Sequence, residues 1–271
     1  MKNGTNAQWR SDNPISTDRK PEIPRVLLMR HAQTFANAND YFLGQLDEGI
    51  TEVGERQSRR AVAGIVAWKP DRIVTSPLLR CRMKIAEPAA EALGVPLVVD
   101  ERIKEFDFGP LEGKTFSEVI EKGYPFPWGP GSEAWPPDGG GETMEHFVAR
   151  LSAAADDLEQ FEGRTAVIAH GGVIRGFFSV WFGMQPDALN QLVVPNVHSY
   201  VFRSTPGNVC LERFGLKPEH LGDYRSYRGR VDARSSAVSC DALTFAPFRK
   251  LLEMEQVRGT IRRVTFQERK A

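Results

Sequence analysis

Two histidines stand in matching contexts. His31 follows the apolar run Val26, Leu27, Leu28, Met29 and then Arg30, and His170 follows Val167, Ile168 and Ala169. Short apolar runs of this kind read as buried strands. In parallel α/β sheets, ligands bind outside the carboxyl ends of the strands. If the two strands are neighbours, both imidazoles reach one crevice although 139 residues separate them. One such histidine is more often a satisfied structural residue; two in the same relation to a strand are harder to explain that way. Arg30 adjoins the first, and Arg80 follows the apolar stretch 72–75 and a Ser76-Pro77 step. An isolated arginine is ordinarily solvated surface. Two guanidiniums converging with two imidazoles would form a phosphoryl-binding site, since the planar fork of arginine pairs bidentately with phosphate oxygens. Gly171 and Gly172 follow His170 and open a helical stretch. Glycine allows close backbone approach, and a helix start offers unpaired N–H groups to an anion.

The elements that must position these residues alternate. Strands are expected at 24–29, 72–75, 97–99 and 165–169, with two more at 197–202 and 209–214 around a Pro206-Gly207 turn. Helices are expected from Thr51 to Pro70, from about Leu78 to Leu93, over 142–160, and from Gly171 to Phe182. Strand–helix alternation implies parallel βαβ units. The expected fold is a three-layer α/β/α sandwich with a mostly parallel central sheet. The domain is expected over 23–216, after a mobile polar leader at 1–22. Within it, residues 109–141 carry six prolines and several glycines and read as an irregular insertion. Residues 217–271 form a basic C-terminal extension, with twelve Lys or Arg against seven Asp or Glu.

Composition narrows the function classes. The chain has 271 residues, 41% of them hydrophobic, which suffices for a sizeable core. Basic and acidic residues number 35 each, a balance that argues against a dedicated nucleic-acid or membrane-surface protein. The three cysteines, Cys81, Cys210 and Cys240, lie far apart and follow no metal-ligand or disulfide spacing. A reducing cytoplasm is the expected location. The N-terminus has no apolar core of the kind a signal peptide needs, and no apolar run approaches the ~20 residues of a membrane span.

The decapeptide 28–37, Leu-Met-Arg-His-Ala-Gln-Thr-Phe-Ala-Asn, resembles the signature of the histidine phosphatase superfamily, which contains the phosphoglycerate mutases and many small phosphatases. Five further segments resemble the family in the same order: 43–57, Ser76–Arg80, Lys104–Gly113, Gly140–Met144 and Ala169–Arg175. The resemblance covers about residues 25–214. Gly49 and the Met83-Lys84 pair depart from it, at positions not expected to touch phosphate.

The resemblance implies a two-step transfer. His31 attacks phosphorus and becomes phosphohistidine, and water then releases phosphate. Arg30, Arg80 and His170 hold the phosphoryl oxygens, and Asn37 and the Gly171 backbone add donors. Glu105 protonates the leaving oxygen and later takes a proton from water. No metal and no cofactor are expected, because the cationic side chains supply the positive charge. Mutases of the family carry an arginine pair between the acid and the later Gly-Gly-Glu segment. Residues 113–142 contain no arginine, and only Lys114 and Lys122 are basic. This favours a phosphatase over a phosphoglycerate mutase-type transfer. A phospho-ligand binding or scaffold protein with incidental activity is a further alternative. The expected partner is a small-molecule phosphate ester, and a homodimer is left open. Trp128 and Trp135, set among prolines, are expected to form a substrate lid, with packing on the core as the alternative. If side-chain cations carry the electrostatics, phosphate release from a panel of monoesters should persist in excess EDTA; strict dependence on magnesium or zinc would contradict the whole reading.

Overall fold

The computed structural model describes residues 23–126, 134–135, 140–185 and 191–223. Among them six strands form one sheet: β1 (Arg25–Arg30), β2 (Arg72–Thr75), β3 (Leu97–Val99), β4 (Arg164–Ala169), β5 (Ser199–Thr205) and β6 (Asn208–Leu216), in the order β3-β2-β4-β1-β5-β6. The pairs β2–β3, β2–β4 and β1–β4 are parallel, and β5 and β6 are added antiparallel at the β1 side. The expected α/β sandwich is present.

Alternation along the strands creates two cores. Val26 and Leu28 of β1, with Val167 and Ala169 of β4, pack against α5 (Met144–Glu159) and α6 (Gly171–Phe182). Leu27 and Met29, with Ala166 and Ile168, pack on the other face against α2 (Glu52–Trp68) and the helical stretch α3. The α2 helix starts where Thr51 accepts the Gly54 N–H at 3.0 Å and turns Ala61, Ile65 and Trp68 inward. The stretch α3 has three parts: Leu79–Cys81, a π segment Arg82–Ala86, and Glu87–Leu93, closed by Gly94 in the left-handed conformation. The π segment is absent from the sequence reading, because a one-residue widening leaves no periodic mark over so short a span.

The structure departs from expectation at four places. The sheet's late strand begins at Ser199 rather than 197, because Val197 adopts φ 54°, a left-handed conformation costly for a β-branched residue. Its N–H donates to the Arg30 carbonyl at 3.0 Å, which ties this turn to the end of β1. The segment read as irregular contains a 3-10 turn, Gly109–Leu111, and the helix α4 (Phe116–Glu121), whose start is a reciprocal cap between Thr115 and Glu118. A short helix α1 (Phe35–Asn39) was likewise not expected. Pro218 and Leu221, placed with the extension from sequence, pack on this domain. The missing side chain of Gly64 in α2 leaves room for the Pro218 backbone, and Leu221 is buried in the α2–α3 core. The leader 1–22 and residues 224–271 lie outside the described residues.

Helices α5 and α6 meet at Gly176, where an added Cβ would collide with Leu151 and the Phe147 ring. Gly176→Val should therefore destabilise the domain by about 1–3 kcal/mol through overpacking. A urea unfolding midpoint equal to that of the wild type would show that the two helices part freely.

Candidate active site

The register of β1 on β4 pairs Arg30 with Ala169, so the next residues, His31 and His170, emerge side by side. Their ring centroids lie 5.3 Å apart. His31 is 4% exposed, and its Nδ1 lies 2.7 Å from the Ala32 carbonyl. A carbonyl only accepts, so Nδ1 carries the proton and Nε2 keeps its lone pair. Burial, then Arg80 and Arg30, holds His31 well below the ordinary imidazole range, so the ring is neutral at physiological pH.

His170 is fully buried. Arg80 donates Nε to its Nδ1 at 3.3 Å, which leaves its Nε2 to donate to Ser76 Oγ at 2.7 Å. Burial, Arg80, His31 and Arg30 hold this ring neutral too. The sequence reading set His170 directly on the phosphoryl oxygens. In the structure its two ring nitrogens contact Arg80 Nε and Ser76 Oγ, and the ring lies beside that of His31.

Arg80 is 1% exposed and fixed from three sides. Besides the His170 bond, Nη1 donates to the Leu46 carbonyl at 2.7 Å and Nη2 to the Gly44 carbonyl at 2.6 Å. Arg30 donates Nη1 to the Val194 carbonyl at 2.6 Å, while its Nε is buried with no acceptor among the described residues. Burial lowers the Arg30 pKa to about 10, an effect that Glu105 offsets and the nearby Arg175 and Arg80 reinforce. A guanidinium with a buried, unpaired N–H is suited to bind an anion.

Glu105 reaches the same cavity from the loop after the 3-10 turn Glu101–Ile103. Its Oε2 accepts the Gly172 N–H at 3.1 Å, at the first turn of α6. A Cβ on Gly172 would strike the carboxylate, so this glycine is what lets Glu105 dock there. Asn37 Oδ1 accepts from Thr34 N and from Asn196 Nδ2, which orients the side chain and leaves its own Nδ2 as a donor. Gly171 lines the cavity beside Arg30 and Arg175.

The cavity measures about 390 Å³. Its lining combines Arg30, His31, Arg80, Glu105, Asn37 and Arg175 with the aromatic side chains Tyr41, Phe42, Phe106, Phe108, Phe116 and Phe147. Trp135 is not part of it. That side chain is 9% exposed, packs on Phe106 at 6.0 Å between centroids, and donates Nε1 to the Glu142 carbonyl at 2.8 Å. It therefore takes the packing role rather than that of a lid. Trp128 lies outside the described residues. Among those residues no cluster of three or more His, Cys, Asp or Glu is set to hold a metal.

Four participants were missed from sequence. Arg175 lies four residues after Gly171, one helical turn on, a spacing that could have flagged it. Ser76 sits at the carboxyl end of β2, the position already used to flag Arg80. Gly172 was noted only as helix-opening chemistry. Asn196 had no local signal, because it reaches the site only if β5 runs antiparallel to β1.

The model of the histidine phosphatase superfamily (branch 1) matches residues 26–217. The chain belongs to that superfamily. It is an enzyme of the phosphatase family. A protein of Hydrogenobacter thermophilus that carries the name of a phosphoserine phosphatase is 33% identical over 179 residues, covering 64% of this chain and 86% of its own. One of Yersinia enterocolitica, named as a probable phosphoglycerate mutase, is 30% identical over 184 residues, covering 64% and 81%. In fold, the α-ribazole phosphatase of Shigella flexneri superposes with a TM-score of 0.61 at 18% identity, covering 71% of this chain and 96% of that one.

The contact between Gly172 and Glu105 gives a direct test. Gly172→Ala should push the carboxylate off the helix start and cut kcat on an alkyl phosphate by about 10- to 100-fold, the scale of a 1 Å misplacement. An unchanged kcat would mean that this docked position is not the productive one.

Proposed function

We propose that this enzyme hydrolyses monoesters of small organic phosphates, without a metal, through a phosphohistidine on His31. The observation that carries the reading is the neutral His31 ring, with Nδ1 tied to the Ala32 carbonyl and Nε2 left as a nucleophile between buried guanidiniums.

In the first step the Nε2 lone pair attacks phosphorus and the ester P–O bond breaks. The leaving oxygen takes a proton from Glu105. In the second step water gives a proton back to Glu105 while its oxygen attacks phosphorus, the P–N bond breaks and inorganic phosphate departs. Arg30 and Arg80 supply the fixed positive charge that both in-line transition states require. Asn37 Nδ2 and the Gly171 end of α6 supply neutral donors. His170 contributes by holding Arg80 through its neutral ring. The aromatic wall fits the organic part of a small ester.

Hydrolysis is favoured over mutase transfer by the segment between acid and Gly-Gly-Glu, which has no arginine. Its Lys114 lies over the Tyr124 ring at 6.0 Å from the centroid rather than among the cavity residues. A binding or scaffold role is disfavoured because nucleophile, acid and cations all meet in one cavity. A cytoplasmic setting agrees with the free thiols Cys81 and Cys210, and among the described residues no helix is long and apolar enough to cross a membrane.

Rapid quench with labelled substrate should trap acid-labile, base-stable phosphate on the wild type and none on His31→Ala, whose turnover should fall to background with its unfolding transition retained. Substantial turnover by His31→Ala would sink the covalent route. Interconversion of 2- and 3-phosphoglycerate as fast as hydrolysis would overturn the phosphatase choice.

A further inference from the structure

Outside the cavity lining, one guanidinium divides its donors between the loop that carries Glu105 and the Glu142 carboxylate. Arg150 of α5 donates Nη1 to the carbonyls of Arg102 and Lys104, and Nη2 to the carbonyl of Glu105 at 3.0 Å. Its Nε and Nη2 take both carboxylate oxygens of Glu142, at 2.6 and 2.8 Å. An arginine has five N–H groups, and these five bonds account for them. Glu142 is itself fixed: its N–H donates to the Asp107 carbonyl at 2.9 Å, and its carbonyl accepts from Trp135 Nε1. The Arg150 guanidinium also lies over the Phe147 ring, 4.8 Å from the centroid. Neither Arg150 nor Glu142 lines the cavity.

We infer that Arg150, braced by Glu142 and Trp135, is a positioning residue for the general acid. Three carbonyls within four residues, those of Arg102, Lys104 and Glu105, are pinned to one rigid plane. The Glu105 carbonyl is held a second time by Gln45 Nε2 at 3.2 Å, and its carboxylate is held by Gly172. The backbone of Glu105 is thus fixed from the core side while its side chain is fixed from the cavity side. A short acid on a loop can serve the leaving oxygen only if both ends are set, since catalytic groups must be held to fractions of an ångström. Lysine cannot replace this fork, because an ammonium has three donors and no planar spread. Trp135 thereby acts on the chemistry through Glu142.

The inference rests on the reading of Glu105 as the acid, and the experiment separates the two. In the full chain, Glu105→Gln, Arg150→Lys, Glu142→Gln and the double variant Glu105→Gln/Arg150→Lys are assayed on p-nitrophenyl phosphate and on an alkyl phosphate such as glycerol phosphate. Unfolding midpoints and inhibition by inorganic phosphate are measured alongside. Glu105→Gln should lose ~10²–10⁴-fold on the alkyl ester and far less on p-nitrophenyl phosphate, whose leaving group departs unaided. Arg150→Lys should show the same preference at about 10- to 100-fold, with phosphate inhibition unchanged. On the alkyl ester the double variant should be no worse than Glu105→Gln alone, because the two act as one unit. Equal losses by Arg150→Lys on both esters, or losses that multiply in the double variant, overturn the positioning role while the acid assignment stands. No preference in Glu105→Gln itself overturns the acid assignment and the positioning role with it. If Arg150→Lys fails to fold, Glu142→Gln, which keeps one carbonyl acceptor, carries the same comparison, and its failure to discriminate between esters counts equally against the role.

Discussion

The parallel ladder between β1 and β4, in the register that sets Arg30 opposite Ala169, is the constraint from which the site follows. The side-chain period of a strand is two, so a slip of one residue would exchange the faces of the whole strand. Leu27 and Met29 would then lie against α5 and α6, and Val26 and Leu28 against α2 and α3. Two well-filled cores on opposite faces forbid this. The packing that fixes the register therefore also fixes where His31 and His170 emerge. Neither histidine needs a contact of its own to find the other.

That placement creates an electrostatic problem which the loops resolve. Arg30, Arg80 and Arg175 gather around one cavity with Glu105 and Asp40 as the carboxylates on its lining. Burial of like charges costs free energy unless each group is bound elsewhere. Arg80 is spread over two carbonyls and an imidazole, Arg30 over the Val194 carbonyl, and Arg175 over the Leu192 carbonyl at 3.0 Å. Backbone dipoles thus orient the cations without neutralising them. Burial first, and the same cationic field after it, keeps both imidazoles uncharged. An incoming phosphate anion relieves the repulsion, so its binding stabilises the folded site as well as the complex.

The loops at this end of the sheet come from four separate places in the chain. The 43–47 loop holds Arg80 through Gly44 and Leu46, and the loop before β5 holds His31 through Asn196. The 102–105 loop brings the carboxylate, and the first turn of α6 receives it. Two are anchored by side chains outside the cavity lining: Glu112 accepts the N–H groups of Gln45 and Phe108, and Arg150 holds the 102–105 carbonyls. Precision at the site is therefore bought largely with hydrogen bonds outside it.

The sequence by itself determined the strand–helix alternation and the two histidines at strand ends, because periodicity and strand termini are local properties. Arg80 was legible for the same reason, and Glu105 only through resemblance, since nothing in its own neighbourhood distinguishes it from Glu101 or Glu112. The tertiary structure decided the rest. Asn196 joins His31 because β5 turns antiparallel beside β1, a direction that no local pattern encodes. Ser76, 94 residues away in sequence, meets His170 Nε2 because β2 and β4 pair side by side. Trp135 is core rather than lid because Glu142 offers its carbonyl and Phe106 its face. Proline and tryptophan in a loop are consistent with either role; which one prevails depends on partners distant in sequence, and only folding brings those within hydrogen-bonding reach.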